Sequence, residues 1–264
     1  MTTEIETVKP FLSVVMPAYN EAMTISTVVG QVLAIQFLLE LIIVDDCSSD
    51  ETPNIISSLA ASDPRIRYVR QEKNLGKTEA LKTGFALTIG DIVIVQDADL
   101  EYDPREIADV IGPIVENRAD VVYGSRFMVK KAARVLYFSH YLANKALTFL
   151  SNMFTNLNMS DIETGYKAFR GDIIRNLLIT SKGFGFEVEV TAKVAKLGCA
   201  VYEVPISYYG RTYDEGKKIG MKDGFAAIWY IFRFNLMSGL SGSFKEIPPI
   251  LSTLNERLLK EKND

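Results

Sequence analysis

Three acidic residues follow a run of apolar residues near the middle of the chain. The run Ile92–Val95 is apolar and β-branched, which predicts a buried strand, and Asp97, Asp99 and Glu101 come directly after it. The carboxyl end of a strand in an open α/β sheet is where ligands bind. If the strand continues, Asp97 and Asp99 point the same way and can share one hard cation, Mg²⁺ or Mn²⁺. Because Asp also favours turns, this stretch alone fits a turn equally well.

Two earlier strands are also expected to end in polar residues. The apolar run 11–16 should stop at Pro17, because proline lacks the N–H that a strand ladder needs, and polar residues occupy 19–21. A second apolar run, 39–44, ends in two aspartates. The opposite ends of these strands carry no comparable cluster. This repetition favours a functional site at one edge of a sheet.

The elements that would hold these acids alternate between strand and helix. Such alternation predicts an α/β protein with a mainly parallel sheet and right-handed crossovers. After the first two strands, we expect a short strand at 67–70 and the acidic strand at 92–95, then strands at 120–123 and 200–206. The expected helices are 23–35, one through 55–59, 78–87, 104–116, 137–157 and 184–197, the last ending before Gly198. Pro205 indicates either that the last strand lies at a sheet edge or that the strand ends there.

Composition excludes several classes of protein. The chain has 264 residues, of which 48% are hydrophobic and 23% charged, as in ordinary globular proteins. A net charge of −4 gives no electrostatic footprint for nucleic acid. One histidine and two cysteines leave no histidine-based metal cluster, Ser-His-Asp constellation or disulfide framework.

Six short motifs, in their order along the chain, resemble one known family. They are Pro17-Ala18-Tyr19-Asn20-Glu21, Asp45-Asp46, Asn74-Leu75-Gly76-Lys77, Asp97-Ala98-Asp99, Gly124-Ser125-Arg126 and Thr164-Gly165-Tyr166-Lys167. In this arrangement the chain resembles a family 2 inverting glycosyltransferase, and within it the dolichol-phosphate mannose synthases and bacterial polyprenyl-phosphate glycosyltransferases. The resemblance covers about residues 11–235.

The resemblance implies a GT-A fold, a Rossmann-like three-layer sandwich with helices on both faces of a mainly parallel central sheet. It also suggests a division of the chain into four parts. We expect a flexible amino terminus at 1–10, a catalytic domain at 11–210, an acceptor loop and amphipathic helix at 211–240, and a tail at 241–264.

The family pattern assigns donor-binding roles to residues at the expected sheet edge. Catalytic roles fall on Asp99, Arg126, Arg211 and, for a hydroxyl acceptor, Asp161. The residues implied for the nucleotide sugar are Pro17, Tyr19, Glu21, Asp46, Lys77 and Asp97. A Mg²⁺ or Mn²⁺ cofactor would be held by Asp97, Asp99 and Glu101, and Arg126 would add positive charge to the diphosphate.

Two activities are possible, and they differ in the acceptor of the sugar. A polyprenyl phosphate is already an anionic nucleophile, so it needs cations for positioning, and Arg211, Lys217 and Lys218 would supply them. A sugar hydroxyl, as in cell-wall or polysaccharide synthesis, would need a base, with Asp161 or Glu163 as the candidate. The main expectation is transfer of one sugar, mannose or glucose, from a GDP- or UDP-sugar to dolichyl or undecaprenyl phosphate.

A protein of another class also fits the motifs, namely a non-catalytic module that binds nucleotide sugars. The retained acids argue against it, and release of nucleoside diphosphate would distinguish the two. Glu187 and Glu189 at the start of the 184–197 helix are explained at least as well by the helix dipole as by a role in the site.

The expected location follows from the apolar stretches. Residues 1–9 lack the basic and apolar regions of a signal peptide, and no stretch reaches the roughly 18 apolar residues of a membrane span. Residues 225–240 fit either an interfacial helix or a core or dimer helix. We therefore expect a cytoplasmic protein, peripheral at the inner face of the membrane, with a membrane-protein partner or a second copy as further partners.

Overall fold

A computed structural model describes residues 9–128, 137–210 and 221–252. Within these ranges the chain forms a seven-stranded sheet flanked by helices. The strands are β1 (Leu12–Ala18), β2 (Leu38–Asp45), β3 (Ile66–Arg70), β4 (Ile92–Val95), β5 (Val121–Ser125), β6 (Lys167–Arg170) and β7 (Val201–Pro205). The helices are α1 (Ile25–Leu33), α2 (Thr52–Ser62), α3 (Lys77–Leu87), α4 (Ile107–Val115), α5 (Phe138–Thr155), α6 (Gly171–Asn176), α7 (Phe186–Leu197) and α8 (Met221–Leu236), and a 3₁₀ turn, Pro104–Glu106, precedes α4.

The strand order is β3-β2-β1-β4-β6-β5-β7, and every pair except those made by β6 is parallel. The expected mainly parallel α/β sheet is therefore confirmed. Two elements, β6 and α6, were not expected from the sequence. The run Lys167–Arg170 has only two apolar residues between two cations, which hides a strand that the structure buries between β4 and β5.

The hydrophobic core has two main parts, one on each face of the sheet. Alternate residues of β4 point to opposite faces, so Ile92 and Ile94 join one core while Val93 and Val95 join the other. The first core is covered by α1 and α4, and the second by α3 and α7. Burial on both faces explains why these strands have continuous apolar runs instead of alternating ones.

One expectation about a strand end is wrong. Pro17 does not end β1, which continues to Ala18. The carbonyl of Val15 accepts the N–H of Gln96, which follows β4. Backbone groups two residues apart on a strand point to the same side, so the nitrogen of residue 17 also faces the β4 side. It lies beyond the end of β4, where no hydrogen-bond donor is needed. The acidic strand covers Ile92–Val95 as expected and does not continue further, so Asp97 and Asp99 do not alternate along a strand.

Two predicted details of the second half agree with the structure. Gly198 ends α7 with a φ of 71°, the left-handed conformation that glycine adopts without a Cβ penalty. The strand containing Pro205 lies at the edge of the sheet. In the part of the chain that the structure describes, none of the helices combines the length and apolar character that crossing a bilayer demands.

Candidate active site

The candidate site lies where β1, β2 and β4 end side by side. These three strands are adjacent and parallel, so the loops after them meet at one edge of the sheet. The antiparallel strand β6 begins at the same edge, because its partner β4 ends there. Polar residues that are distant in the sequence are therefore brought together, as expected for the three strand ends.

The acids after β4 are held in a partly buried turn. The side-chain amide of Gln96, which is fully buried, donates to the carbonyls of Asp97 and Tyr102 at 3.1 and 3.2 Å. Asp99 Oδ1 accepts the backbone N–H of Glu101 at 3.1 Å, and Leu100 has a φ of 62°. The acids therefore form a turn at the carboxyl end of β4. The interpretation of this stretch as a metal site stays a prediction.

Among the cations whose contacts the structure gives, Lys77 lies nearest to these acids. Its Nζ lies 2.9 Å from Asp97 Oδ2 and 3.5 Å from Glu187 Oε1. Burial acts to lower the pKa of Lys77, but the carboxylates of Asp97 and Glu187 outweigh it and raise the pKa above its ordinary value. Gly165 allows the close approach, because a Cβ there would lie 2.8 Å from Asp97 Oδ2 and 3.0 Å from Lys77 Nζ.

The three carboxylates expected to hold a metal do not form a closed site. No group of three or more histidine, cysteine or acidic side chains suited to a metal ion occurs within residues 9–128, 137–210 and 221–252. Asp97 is paired with Lys77, and Glu101 Oε2 accepts the hydroxyl of Tyr208 at 2.8 Å. Asp99 is only partly buried. This set fits a Mg²⁺-type ion that takes one or two carboxylates and completes its shell with substrate phosphates and water.

The residues expected around the nucleotide line the neighbouring loops. Asp46 accepts the backbone N–H groups of Leu75 and Gly76, both at 2.7 Å, so it fixes the loop that leads into α3. Burial is the main cause that raises the pKa of Asp46. The backbone N–H of Glu21 donates to Thr52 Oγ1 at 2.9 Å, which ties the loop after β1 to the start of α2.

Arg126 forms a buried ion pair with Asp161. Its Nε and a terminal nitrogen each lie 2.7 Å from a different carboxylate oxygen, and its backbone N–H also reaches Asp161. The two side chains are 12% and 0% exposed. Burial would raise the pKa of Asp161, but Arg126 outweighs burial and lowers it. This geometry disfavours Asp161 as a base and leaves Arg126 rigidly placed, 5.2 Å from the ring of Tyr208.

Glu163 and Glu187 are two further acids near the site: Glu187 is buried and lies 3.5 Å from Lys77, whereas Glu163 is half-buried. Each has one carboxylate oxygen that is buried and has no hydrogen-bond partner. Burial, and then the charge of Glu187, raise the pKa of Glu163 to about 7. The sequence left Glu187 open between a role in the site and an acid in the first turn of a helix, which the helix dipole favours. Only the long-range packing of α7 against α3 brings it to Lys77.

The segment before the expected acceptor cations is anchored to the turn after β4. Glu106 accepts the N–H and the hydroxyl of Ser207 at 2.7 and 2.8 Å. The carbonyl of Glu101 accepts the N–H of Tyr209 at 2.9 Å, and its carboxylate accepts Tyr208. The acceptor candidates Arg211, Lys217 and Lys218 follow directly and lie outside the described residues.

Glu203 is a residue with a clear positioning role that the sequence did not reveal. Its carboxylate accepts the N–H groups of Ser160 and Asp161 at 2.8 to 3.1 Å, which fixes the loop that carries the partner of Arg126. An isolated acid in an edge strand is usually solvated, and no spacing rule marks it as a loop anchor.

The sequence and fold are similar to those of known sugar-transferring proteins. The model of the glycosyl transferase family 2 matches residues 13–178. The chain is 30% identical over 212 residues to an undecaprenyl-phosphate mannosyltransferase of Micrococcus luteus, covering 78% of this chain and 86% of that protein. It is 28% identical over 214 residues to a polyprenol monophosphomannose synthase of Mycolicibacterium smegmatis, covering 78% and 80% respectively.

A solved structure shows the same fold. Glucosyl-3-phosphoglycerate synthase from Mycobacterium tuberculosis, in complex with Mn²⁺, uridine diphosphate and glucosyl-3-phosphoglycerate, superposes with a TM-score of 0.66. The match covers 86% of this chain and 80% of that one at 24% identity, a level that supports the GT-A fold alone.

Proposed function

This chain belongs to glycosyl transferase family 2 and is a glycosyltransferase, and we propose that it transfers one sugar from a nucleotide sugar to a polyprenyl phosphate. The proposed sugar is mannose or glucose, carried by GDP or UDP. The acceptor half rests on the similarity to an undecaprenyl-phosphate mannosyltransferase across 86% of that protein. The donor half rests on one geometric observation: Lys77 pairs with Asp97 directly beside the partly buried Asp99, at the ligand-binding edge of the sheet.

The residues around the turn after β4 would handle the donor diphosphate. A divalent cation bound by Asp99, with Asp97 and Glu101 nearby, would neutralise negative charge on the phosphates. The ammonium of Lys77 is a second positive charge, beside Asp97. The guanidinium of Arg126 is a third, and it follows β5 on the far side of β6. These positive groups stabilise the diphosphate as its bond to the anomeric carbon breaks.

The acceptor phosphate would supply the electron pair for the new bond. One of its oxygens attacks the anomeric carbon from the side opposite the diphosphate, so the configuration at this carbon inverts and nucleoside diphosphate leaves. No proton has to be removed from such a nucleophile. Arg211, Lys217 and Lys218 would offset the repulsion between the two anionic substrates, and the anchored residues Ser207 and Tyr209 lead the chain to them.

A sugar hydroxyl is the second candidate acceptor, and one observation favours it. A base that works near neutral pH needs a pKa in that range, and the pKa of Glu163 is raised to about 7. Of the two base candidates expected from the sequence, Glu163 therefore fits this role, whereas Asp161 is held by Arg126.

The exposed faces of α5 and α8 support a position at the membrane surface. On α8, Phe225 and Trp229 are 70% and 57% exposed, and on α5, Phe138 and Phe149 are 74% and 67% exposed. The two helices pack together through Phe154 and Phe232, whose ring centroids are 5.2 Å apart. We call these exposed side chains the apolar face. Patches of this kind mark lipid or protein contacts, and the proposed acceptor lies in the cytoplasmic leaflet.

A panel assay tests the function. The purified chain is incubated with Mn²⁺, GDP- or UDP-linked mannose or glucose, and a short polyprenyl phosphate or a free sugar, and the product mass is followed. Glycosylated polyprenyl phosphate is expected. Asp99→Ala should abolish metal-dependent transfer while keeping the melting temperature of the parent. Release of nucleoside diphosphate with no acceptor product, or unchanged turnover of Asp99→Ala, would contradict the proposal.

A further inference from the structure

The start of α3 is capped by another part of the chain instead of by its own residues. Gly76 precedes the helix with a φ of 89° and offers no capping side chain. The carbonyl of Gly183 takes over this role, accepting both the backbone N–H and the hydroxyl of Thr78 at 3.2 and 2.8 Å. The first N–H groups of a helix have no partner within it, so this carbonyl satisfies a group that would otherwise be buried without a bond.

The contact requires a close approach of two backbones. A Cβ on Gly76 would lie 3.4 Å from Gly183 Cα, and Gly183 itself has a φ of 62°. Thr78 is fully buried at this junction. The residue before it is Lys77, whose ammonium pairs with Asp97. The capping carbonyl thus holds the residue that directly follows Lys77 in the chain.

The segment that carries Gly183, which we call the capping loop (180–185), is held on two other sides. Glu189, which is fully buried, accepts the N–H groups of Thr180 and Ser181 at 2.7 to 3.0 Å and pairs with Lys193 at 2.6 Å. Tyr230 of α8 accepts the N–H of Lys182 at 3.2 Å. The loop is therefore fixed to α7 and α8, and through Thr78 it fixes α3.

From this geometry we propose that Thr78 is a positioning residue that keeps the Lys77 ammonium on Asp97 by tying the first turn of α3 to the capping loop. The inference rests on the proposed donor chemistry. Without the hydroxyl bond, the longer bond of 3.2 Å from the Thr78 N–H is what still joins this residue to Gly183. The first turn of α3 is then held less firmly, and so is the ammonium between the carboxylates of α7 and of the turn after β4.

The test compares two buried threonines on the same helix. Thr88, 3% exposed at the other end of α3, donates its hydroxyl to the carbonyl of Phe85 at 2.8 Å, the same bond length as Thr78 makes to Gly183. Thr78→Val and Thr88→Val should lower the melting temperature by similar amounts. Thr78→Val should also lower kcat/KM for the donor and the affinity for GDP or UDP with Mn²⁺ by about three- to tenfold. Thr88→Val and Thr78→Ser should stay within about twofold of the parent.

Several outcomes would overturn the inference. They are an unchanged donor affinity and turnover in Thr78→Val, an equal loss in Thr88→Val, or no rescue by serine. If Thr78→Val does not fold, Tyr230→Phe is the variant to test, because it removes the hydroxyl that accepts the N–H of Lys182 in the capping loop. A donor affinity of Tyr230→Phe equal to that of the parent would then refute the role of the loop. Nucleotide affinity is measured without acceptor, so a failure of the proposed lipid-phosphate transfer does not affect this test.

Discussion

Asp161→Asn should destabilise the protein strongly, because it leaves the guanidinium of Arg126 buried without its charge partner. In the parent, Asp161 is 0% exposed and accepts two side-chain bonds of 2.7 Å from Arg126, itself 12% exposed. Breaking one partner of such a pair costs about 3–5 kcal/mol. For a protein of this size, that corresponds to a fall in melting temperature of about 6–20 °C.

The assay is thermal and urea unfolding of Asp161→Asn, Arg126→Met and the double variant. The double variant should lose less stability than the sum of the two single variants, since the second change removes the charge that the first left unpaired. The matched control is Arg105→Met, which breaks a similarly close pair with Asp103 whose arginine is 76% exposed and should leave the melting temperature nearly unchanged. A loss below about 1 kcal/mol in Asp161→Asn, or strict additivity, would refute the structural role and restore Asp161 as a candidate base.

Three further outcomes can be checked. The pKa of Glu163 is raised from 4.5 to about 7, so the folded state keeps a proton that the unfolded chain has released. Stability should fall as pH rises from about 4.5 to 7, and Glu163→Gln should remove up to about 3 kcal/mol of that dependence; parallel curves for parent and variant would contradict this. Gly165→Ala should displace Lys77 from Asp97 and lower turnover, whereas Gly30→Ala, with nothing within 4 Å of the added methyl group, should leave turnover unchanged; equal activity of the two would show that the close approach is unimportant. The parent should float with anionic liposomes and Trp229→Ser should float less, because Trp229 belongs to the apolar face; no flotation of the parent would contradict the proposed membrane contact.

The first half of the fold was predictable because its signals are local. Continuous apolar strands such as Ile92–Val95 and the alternation of strands with helices determine a parallel sheet, and parallel strands place their carboxyl ends at one edge. β6 was not predictable, since its burial between two neighbours comes from tertiary packing and not from an apolar run. The proposed division of the chain at residues 10, 210 and 240 stays a prediction.

The candidate site was predictable to the extent that polar residues follow strands directly. Asp97 and Asp99 belong to this class, whereas Glu187 reaches Lys77 only through the packing of α7 against α3. The sequence also could not show that Asp161 is bound to Arg126, because this pair depends on the loop that Glu203 holds. Long-range contacts of this kind carry no signal in residue spacing.

The antiparallel strand β6 sets a distance within the active site. It lies between β4 and β5, so the turn that carries Asp99 and the end of β5 that carries Arg126 are two strand spacings apart, about 10 Å. The side chains narrow this gap, because the guanidinium of Arg126 lies 5.2 Å from the ring of Tyr208, whose hydroxyl donates to Glu101 at 2.8 Å. β6 therefore separates the backbones of the turn after β4 and the end of β5, while Tyr208 connects the side chains that extend from them.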